Sequence, residues 1–449
     1  MSRLFLSVLG LGPWIEDKKK NEYAKCVYRS ANGETLLPTR YIQEASIRLF
    51  CKGWDSSKGD RVRILCTEES FKHQWQGEEH LLECLTELKS KADYANLDFS
   101  ESAIKMPEGK SKDEIWQIFN ALFDCVNEGD EIWLDVTHGY RSIPMLVITA
   151  VPYLRLLKKA EIRSITYGAY EAKDKDNNIV PIFDLTDFVG LMDWTNAASN
   201  FVRFARFDDC EQLMNAVNQD ILKETKGKDK EANTCRGLAK QIDRFTNGVL
   251  QNRLESSVIN GIPQAVFDDI DNLSELELRI PPFRPLLNKI SDKLSPFKQN
   301  CHGNVFAAVR WCLEHRYLQN GYSILLEGCV LIIKENLKRD GHKDVADEDW
   351  NAKSPNSPIG VYKRWKKERD SHDQKELDEK QKELRKSMFK DKFDYAQALF
   401  TLSQVRNAFM HCGTGRDKLP DRDGVLEEQL RDCCDKLEKW YKELNLEEE

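Results

Sequence analysis

Apolar and polar positions alternate along the first 190 residues in two rhythms, one of strands and one of helices. Arg3 to Leu9 is a short apolar run that stops at Gly10-Leu11-Gly12-Pro13, which predicts a buried strand running into a turn. From Thr39 to Phe50, Tyr41, Ala45 and Leu49 recur at four-residue intervals and predict a helix. Arg61 to Thr67 reads as a second buried strand, Glu78 to Ala92 as a helix, and Asp113 to Val126 as a helix with its stripe on Ile115, Ile118, Phe119, Leu122 and Val126. Strand Glu131 to Val136, helix Ile143 to Leu157 and strand Ile162 to Tyr167 follow. Strands that alternate with helices imply a mainly parallel sheet covered on both faces, a Rossmann-like domain.

From about Gly190 the strand rhythm fades. Phe201 to Leu222, Ala232 to Leu254, Val305 to Gln319, Ile324 to Leu337 and Phe393 to Cys412 read as helices, and Pro281-Pro282-Phe283-Arg284-Pro285 marks a break. Lys223 to Lys230 reads as a charged, mobile connector. The segment Asp340 to Asp391 is dense in charges of both signs and predicts a solvated helix around Pro358 to Lys386, flanked by loops. The expected architecture is α/β followed by all-α. It divides into an α/β domain over 1–189, a helical linker over 190–299 and a helical domain over 300–449 with its charged insert near 340–391.

A chain of 449 residues exceeds what one core organises, in keeping with that division. The net charge of −8 argues against a surface coated by nucleic acid, so any such chemistry belongs to a confined site. The longest apolar stretch, Ile143 to Leu154, is too short to span a bilayer, and the N-terminus lacks a small-residue cleavage site. The 13 cysteines are scattered and without C-x-x-C pairs, which predicts reduced thiols in a cytoplasmic protein.

Ligands of open parallel sheets bind beyond the carboxyl ends of the strands. Gly10-Leu11-Gly12, the loop after Thr67, the segment Thr137-His138-Gly139-Tyr140-Arg141-Ser142 and the chain after Tyr167 meet there. The third is the informative one. A buried strand carrying Asp135 ends in Thr137 and His138, and a helix then starts with Ser142 as N-cap and Pro144 in its first turn. Backbone amides at that start, with Arg141, suit a phosphate, and Thr137 and His138 can hydrogen-bond a base or ribose. A capped strand-to-helix turn with a surface arginine accounts for the same residues equally well. No His or Cys at ligand spacing makes His138 a metal site.

Near the C-terminus, Arg406-Asn407-Ala408-Phe409-Met410-His411 closes an apolar helix. R-x-x-x-x-H alone is a weak pattern, and Arg310 to His315 also fits it. Asn407 and the late helical position set Arg406 apart. Residues five apart on a helix differ by about 140°, so Arg406 and His411 do not share a face, whereas Asn407 and His411 do. A two-fold dimer along this helix places two copies of the set in one cleft. Metal-free RNA scission needs such residues: arginine binds phosphate in bidentate fashion, an imidazole titrates near neutral pH, and an amide orients either. An ordinary helix end capped by His411 remains the competing explanation.

Taken together, Gly10-Leu11-Gly12 after the first strand, D-V-T-H-G-Y-R-S-I-P at 135–144 and R-N-x-x-x-H at 406–411 resemble the type III CRISPR ancillary ribonucleases that join a CARF sensor domain to a HEPN nuclease domain. The resemblance covers nearly the whole chain, and Trp311 to Glu335 is similar to the first long HEPN helix. It implies that 1–189 is a CARF domain binding cyclic oligoadenylate, the tetra-adenylate ring favoured over the hexa-adenylate, and that 300–449 is a HEPN domain. It further implies a homodimer or a multiple of dimers, activated by the ligand to cut single-stranded RNA without a catalytic cofactor. By position, Arg406, Asn407 and His411 are the nuclease site. Gly10, Leu11, Gly12, Thr137, His138, Gly139, Arg141 and Ser142 line the ligand pocket, with Thr39 and Thr67 as further candidates. The charged insert has no counterpart in that pattern. Two other readings stay open: a non-catalytic sensor acting through a partner, and a CARF domain that also degrades its ligand.

Overall fold

The computed structural model describes residues 2–77, 79–139, 142–275, 284–350, 354–370, 379–414, 418–420 and 424–445. The chain forms two compact units, Met1–Met192 and Asp193–Glu449.

In the first unit the strands are β1 (Arg3–Leu9), β2 (Trp14–Ile15), β3 (Lys20–Asn21), β4 (Val27–Arg29), β5 (Arg61–Cys66), β6 (Ala103–Lys105), β7 (Glu131–Asp135), β8 (Glu161–Gly168) and β9 (Ile179–Asp184). The main sheet runs β4-β9-β8-β7-β1-β5-β6. Pairs from β6 through β8 are parallel, β9 is antiparallel to β8, and β4 is parallel to β9. β1 sits at the centre because both its faces are apolar. Leu4, Leu6 and Val8 pack with helices Lys112–Asp124 and Ser142–Lys158, while Phe5 and Leu9 pack with the opposite cluster that includes Leu81 and Leu85. The chain leaves β1 for β5 on one side, and β7 later fills the other, so the strand order reverses between β1 and β7. That is where such sheets hold ligands.

The pattern reading missed β4, β6, β9 and the β2–β3 hairpin. Apart from β9 these strands are two or three residues long, and Pro181 interrupts the β9 signal. Periodicity needs more residues than that to register.

The second unit is helical, and one buried cluster runs from Trp194 to Leu444. Helices from both 193–299 and 300–449 contribute to it. The helix expected over Phe201 to Leu222 is two, Thr186–Phe204 and Asp208–Glu224. Ala205 takes a left-handed φ of 54° between them, which turns Phe201 and Phe207 into edge contact at 5.5 Å in the core. Likewise Val305 to Gln319 breaks after Glu314, where Arg316 takes φ 60°, and Leu318–Arg339 begins a new helix. Burial of an aromatic on each side outweighs the cost of a left-handed residue.

The charged insert is not a solvated helix. Pro358–Asp370 and Glu379–Phe389 bury Val361, Tyr362, Trp365, Leu384, Met388 and Phe389 in the common core. Tyr362 stacks on Phe400 at 4.6 Å, and Trp440 Nε1 donates to the Met388 carbonyl at 3.0 Å. A narrow apolar stripe under many long lysines escapes a composition-based reading. The 13 cysteines are free thiols, buried except for Cys84, Cys301 and Cys412. Among the described residues no helix is long and apolar enough to cross a membrane.

Candidate functional site

The carboxyl ends of β1, β5 and β7 open into a cleft of about 480 Å³ lined by Gly10, Leu11, Gly12, Thr67, Thr137, His138 and Gly139. The turn after β1 is held from below: Gln74 Nε2 donates to the Leu11 carbonyl at 2.8 Å, and Asn21 Nδ2 donates to the Gly12 carbonyl at 2.8 Å. Gly12 takes φ 81°, a left-handed value that favours glycine. Gly10 is needed for space, since a Cβ there would lie 2.6 Å from the Tyr23 hydroxyl and 3.3 Å from His138 Cβ.

The strand end after β7 is organised by a buried carboxylate. Asp135 accepts from the Ser7 hydroxyl of the neighbouring strand at 2.6 Å, and from the Thr137 amide at 3.2 Å and hydroxyl. The Thr137 hydroxyl in turn accepts from the Gly168 amide at 2.7 Å. Burial pushes the Asp135 pKa up, and those hydrogen bonds oppose the shift. Thr137 therefore spends its hydroxyl on fixing the loop. His138 tilts against Tyr23 with ring centroids 4.8 Å apart, and its Nε2 is sealed from solvent without a hydrogen-bond partner among the described residues.

Burial lowers the His138 pKa from 6.5 to about 4, so the ring is neutral at pH 7. Between those values the unfolded chain binds the proton and the folded one does not, so stability falls as pH drops through that window. The expected contribution reaches at most about 1.4 kcal/mol per pH unit. Melting temperatures of wild type and His138→Gln measured across the window check this: the variant should show the shallower decline, and coincident slopes would refute the buried neutral ring.

Of the remaining expected pocket residues, Thr67 lines the cleft while its hydroxyl caps the next helical turn through the Ser70 amide at 3.2 Å. Thr39 is buried away from it, hydrogen-bonded to Glu44 and not among the lining residues. Ser142 begins the helix, and Arg141 lies outside the described residues. Pattern reading placed Glu69 in a pocket loop and overlooked Tyr23, Met106 and Glu108 on the lining and Gln74 beneath it. Tyr23 arrives from a loop and Gln74 from a short helical turn, and neither carries a periodic or motif signal.

In the second unit, helix Phe393–Met410 ends at His411. Arg406 reaches across to helix Leu318–Arg339, where its Nη2 donates to Glu327 at 2.9 Å, and its Nε is buried without a partner. Asn407 and His411 are exposed, and the His411 amide donates to the Asn407 carbonyl at 3.0 Å. Among the described residues, packing uses neither of the polar ends of Asn407 and His411. The competing pair is different. Arg310 is tied to Glu438 and Asp435, while His315 is buried, with Nδ1 3.0 Å from the Arg203 carbonyl and its ring against Trp311. Arg310→Ala is therefore expected to cost about 1 kcal/mol of stability. Denaturant unfolding of the variant checks this, and an unchanged midpoint would mean that the ion pairs add nothing to the fold.

The first unit is a Rossmann-like α/β domain with a cleft at its switch point, followed in the chain by a helical unit. Residues 54–171 match the family model of the CARF domain of CRISPR system endoribonuclease Csx1. The chain is related to CRISPR-associated protein MJ1674 of Methanocaldococcus jannaschii, with 24% identity over 368 residues, 73% of this chain and 53% of that protein. It thus spans about half the length of that relative. A solved structure, Enterococcus italicus Csm6 bound to cyclic hexa-2′-fluoro-hexa-dAMP, aligns over 98% of this chain and 94% of its own with a TM-score of 0.47 and 9% identity.

Proposed function

We propose that this protein is a cyclic-oligoadenylate-activated, metal-independent endoribonuclease of type III CRISPR defence, cutting single-stranded RNA at a site shared between two copies of the chain. The observation that carries it is the contrast between the two histidines: both Arg310 and Arg406 are ion-paired, but His315 is buried in the core, whereas His411 stands exposed with Asn407. In this reading the RNA 2′-oxygen attacks the adjacent phosphorus and the bond to the 5′-oxygen breaks, leaving a 2′,3′-cyclic phosphate. His411 handles the proton, Arg406 meets the phosphate charge, and Asn407 orients the group beside it.

The sensor cleft supports an adenylate ligand by its chemistry. A neutral His138 and the Tyr23 phenol offer hydrogen bonds and stacking to a purine, and the Glu69 and Glu108 side chains on the lining can accept from its amino group. Pairing is supported by an apolar face on helices Lys112–Asp124 and Ser142–Lys158, where Trp116, Met145, Leu156 and Leu157 are exposed around the Phe119–Tyr153 ring contact. Labelled single-stranded RNA incubated in EDTA with no activator, cyclic tetra-adenylate or cyclic hexa-adenylate tests the reading. Cleavage confined to one ring, the tetra-adenylate first, is the expected result. Intact RNA under every condition would leave a sensor that acts through a partner.

A further inference from the structure

Arg310 and Arg406 are both ion-paired, but they use the guanidinium differently. Arg310 lays both outer nitrogens on one carboxylate: Nη1 donates to Glu438 Oε1 at 3.3 Å and Nη2 to Glu438 Oε2, with Asp435 3.4 Å from Nη2. Its fork is filled. Arg406 makes a single bond, from Nη2 to Glu327 Oε1 at 2.9 Å. Its Nε is buried without a partner, and Nη1, which is not buried, has none among the described residues.

Stability does not account for this arrangement. The Arg406 and Glu327 side chains are 32% and 53% exposed, and an ion pair so open to water adds little to a fold. The buried Nε works against folding, as any unsatisfied donor does. What the pair supplies is direction. An arginine stem has many rotamers, and five residues along a helix set Arg406 about 140° round from His411. Glu327 stands on helix Leu318–Arg339, has Arg406 as its one polar partner among the described residues, and fastens one end of the guanidinium. With Nε closed off and Nη2 engaged, Nη1 is the donor left for a phosphate oxygen. A carboxylate charge beside an incoming phosphate repels it, so the useful part of Glu327 is its acceptor oxygen.

We propose that Glu327 is a positioning residue of the nuclease site, whose carboxylate oxygen orients Arg406 so that Nη1 is presented to the RNA phosphate. The assignment rests on the nuclease reading of Arg406 and His411.

The test is single-turnover cleavage of a labelled single-stranded RNA at saturating protein, with cyclic tetra- and hexa-adenylate both present. Wild type is compared with Glu327→Ala and Glu327→Gln. Binding of a 2′-O-methyl strand, which cannot be cut by 2′-oxygen attack, is measured in parallel. Glu327→Ala should cut about tenfold more slowly, a fraction of the about hundredfold that a misplacement of about 1 Å can cost. Its affinity for the uncut strand should stay within about twofold of wild type, because lost orientation shows in the rate rather than in ground-state binding. Glu327→Gln, whose amide oxygen still accepts from Nη2, should cut within about twofold of the wild-type rate. A merely structural pair would lower the melting temperature and leave the rate of the folded variants unchanged. An unchanged rate in Glu327→Ala overturns the assignment, and a faster one makes the ion pair a brake on Arg406 instead. Glutamine cutting as slowly as alanine also overturns it, by tracing the effect to the charge. Wild type that leaves the RNA intact refutes the nuclease reading, and this role with it. Wild type that cuts while Glu327→Ala cuts equally well refutes this role alone.

Discussion

Alanine in place of His411 is expected to lower single-stranded RNA cleavage about a thousandfold, the span assigned to a positioned acid–base group. The fold gives the substitution little else to disturb. His411 lies just past the end of its helix, exposed, and holds that end through its backbone, with its amide donating to Asn407 and its carbonyl accepting from the Thr414 hydroxyl at 2.7 Å. Alanine keeps both contacts, so stability should move by no more than about 0.5 kcal/mol. Activator affinity, read by calorimetry with cyclic tetra-adenylate, should be unchanged. Cleavage near the wild-type rate in His411→Ala, with activator present, would remove His411 from the chemistry.

The second large effect is expected at Gly10. Its backbone is not in the left-handed region, so the demand is for space. A Cβ at 2.6 Å from the Tyr23 hydroxyl forces apart the Tyr23–His138 pair that lines the cleft. Gly10→Val should weaken cyclic tetra-adenylate binding at least about tenfold, about 1.4 kcal/mol. Gly10→Ala should lie between it and wild type, and a melting temperature close to wild type would tie the loss to the cleft. Wild-type affinity in Gly10→Val would place the ligand elsewhere. Because the turn is pinned by Gln74 and Asn21, the added side chain cannot be relieved by letting the loop drift.

The division between an α/β half and a helical half was legible in the chain because periods of two and 3.6 persist over long segments. β1, β5, β7 and β8 and helices Ile42–Phe50, Leu81–Lys89, Lys112–Asp124 and Ser142–Lys158 fall where the apolar runs place them, within a few residues. The glycine turn and the Thr137–Gly139 loop could be named as pocket walls because strand order in such sheets dictates which loops meet. What the chain alone could not decide depended on neighbours distant in sequence. Ser7 and Asp135 are 128 residues apart, and only parallel register between β1 and β7 joins them. Tyr23 enters the cleft by tertiary packing, with no local signal.

The same holds in the helical unit. Two R-x-x-x-x-H segments differ in the sequence only by Asn407 and by the late helical position of the second. The structure separates them further, because the core claims His315 while His411 is left exposed. The charged insert reads as solvated, and a stripe of six buried side chains makes it part of the core. Local propensity thus determined which elements exist and roughly where. Burial and hydrogen bonding between elements decided which polar groups were spent on the fold and which were left for chemistry, because desolvation costs depend on neighbours that no local window contains.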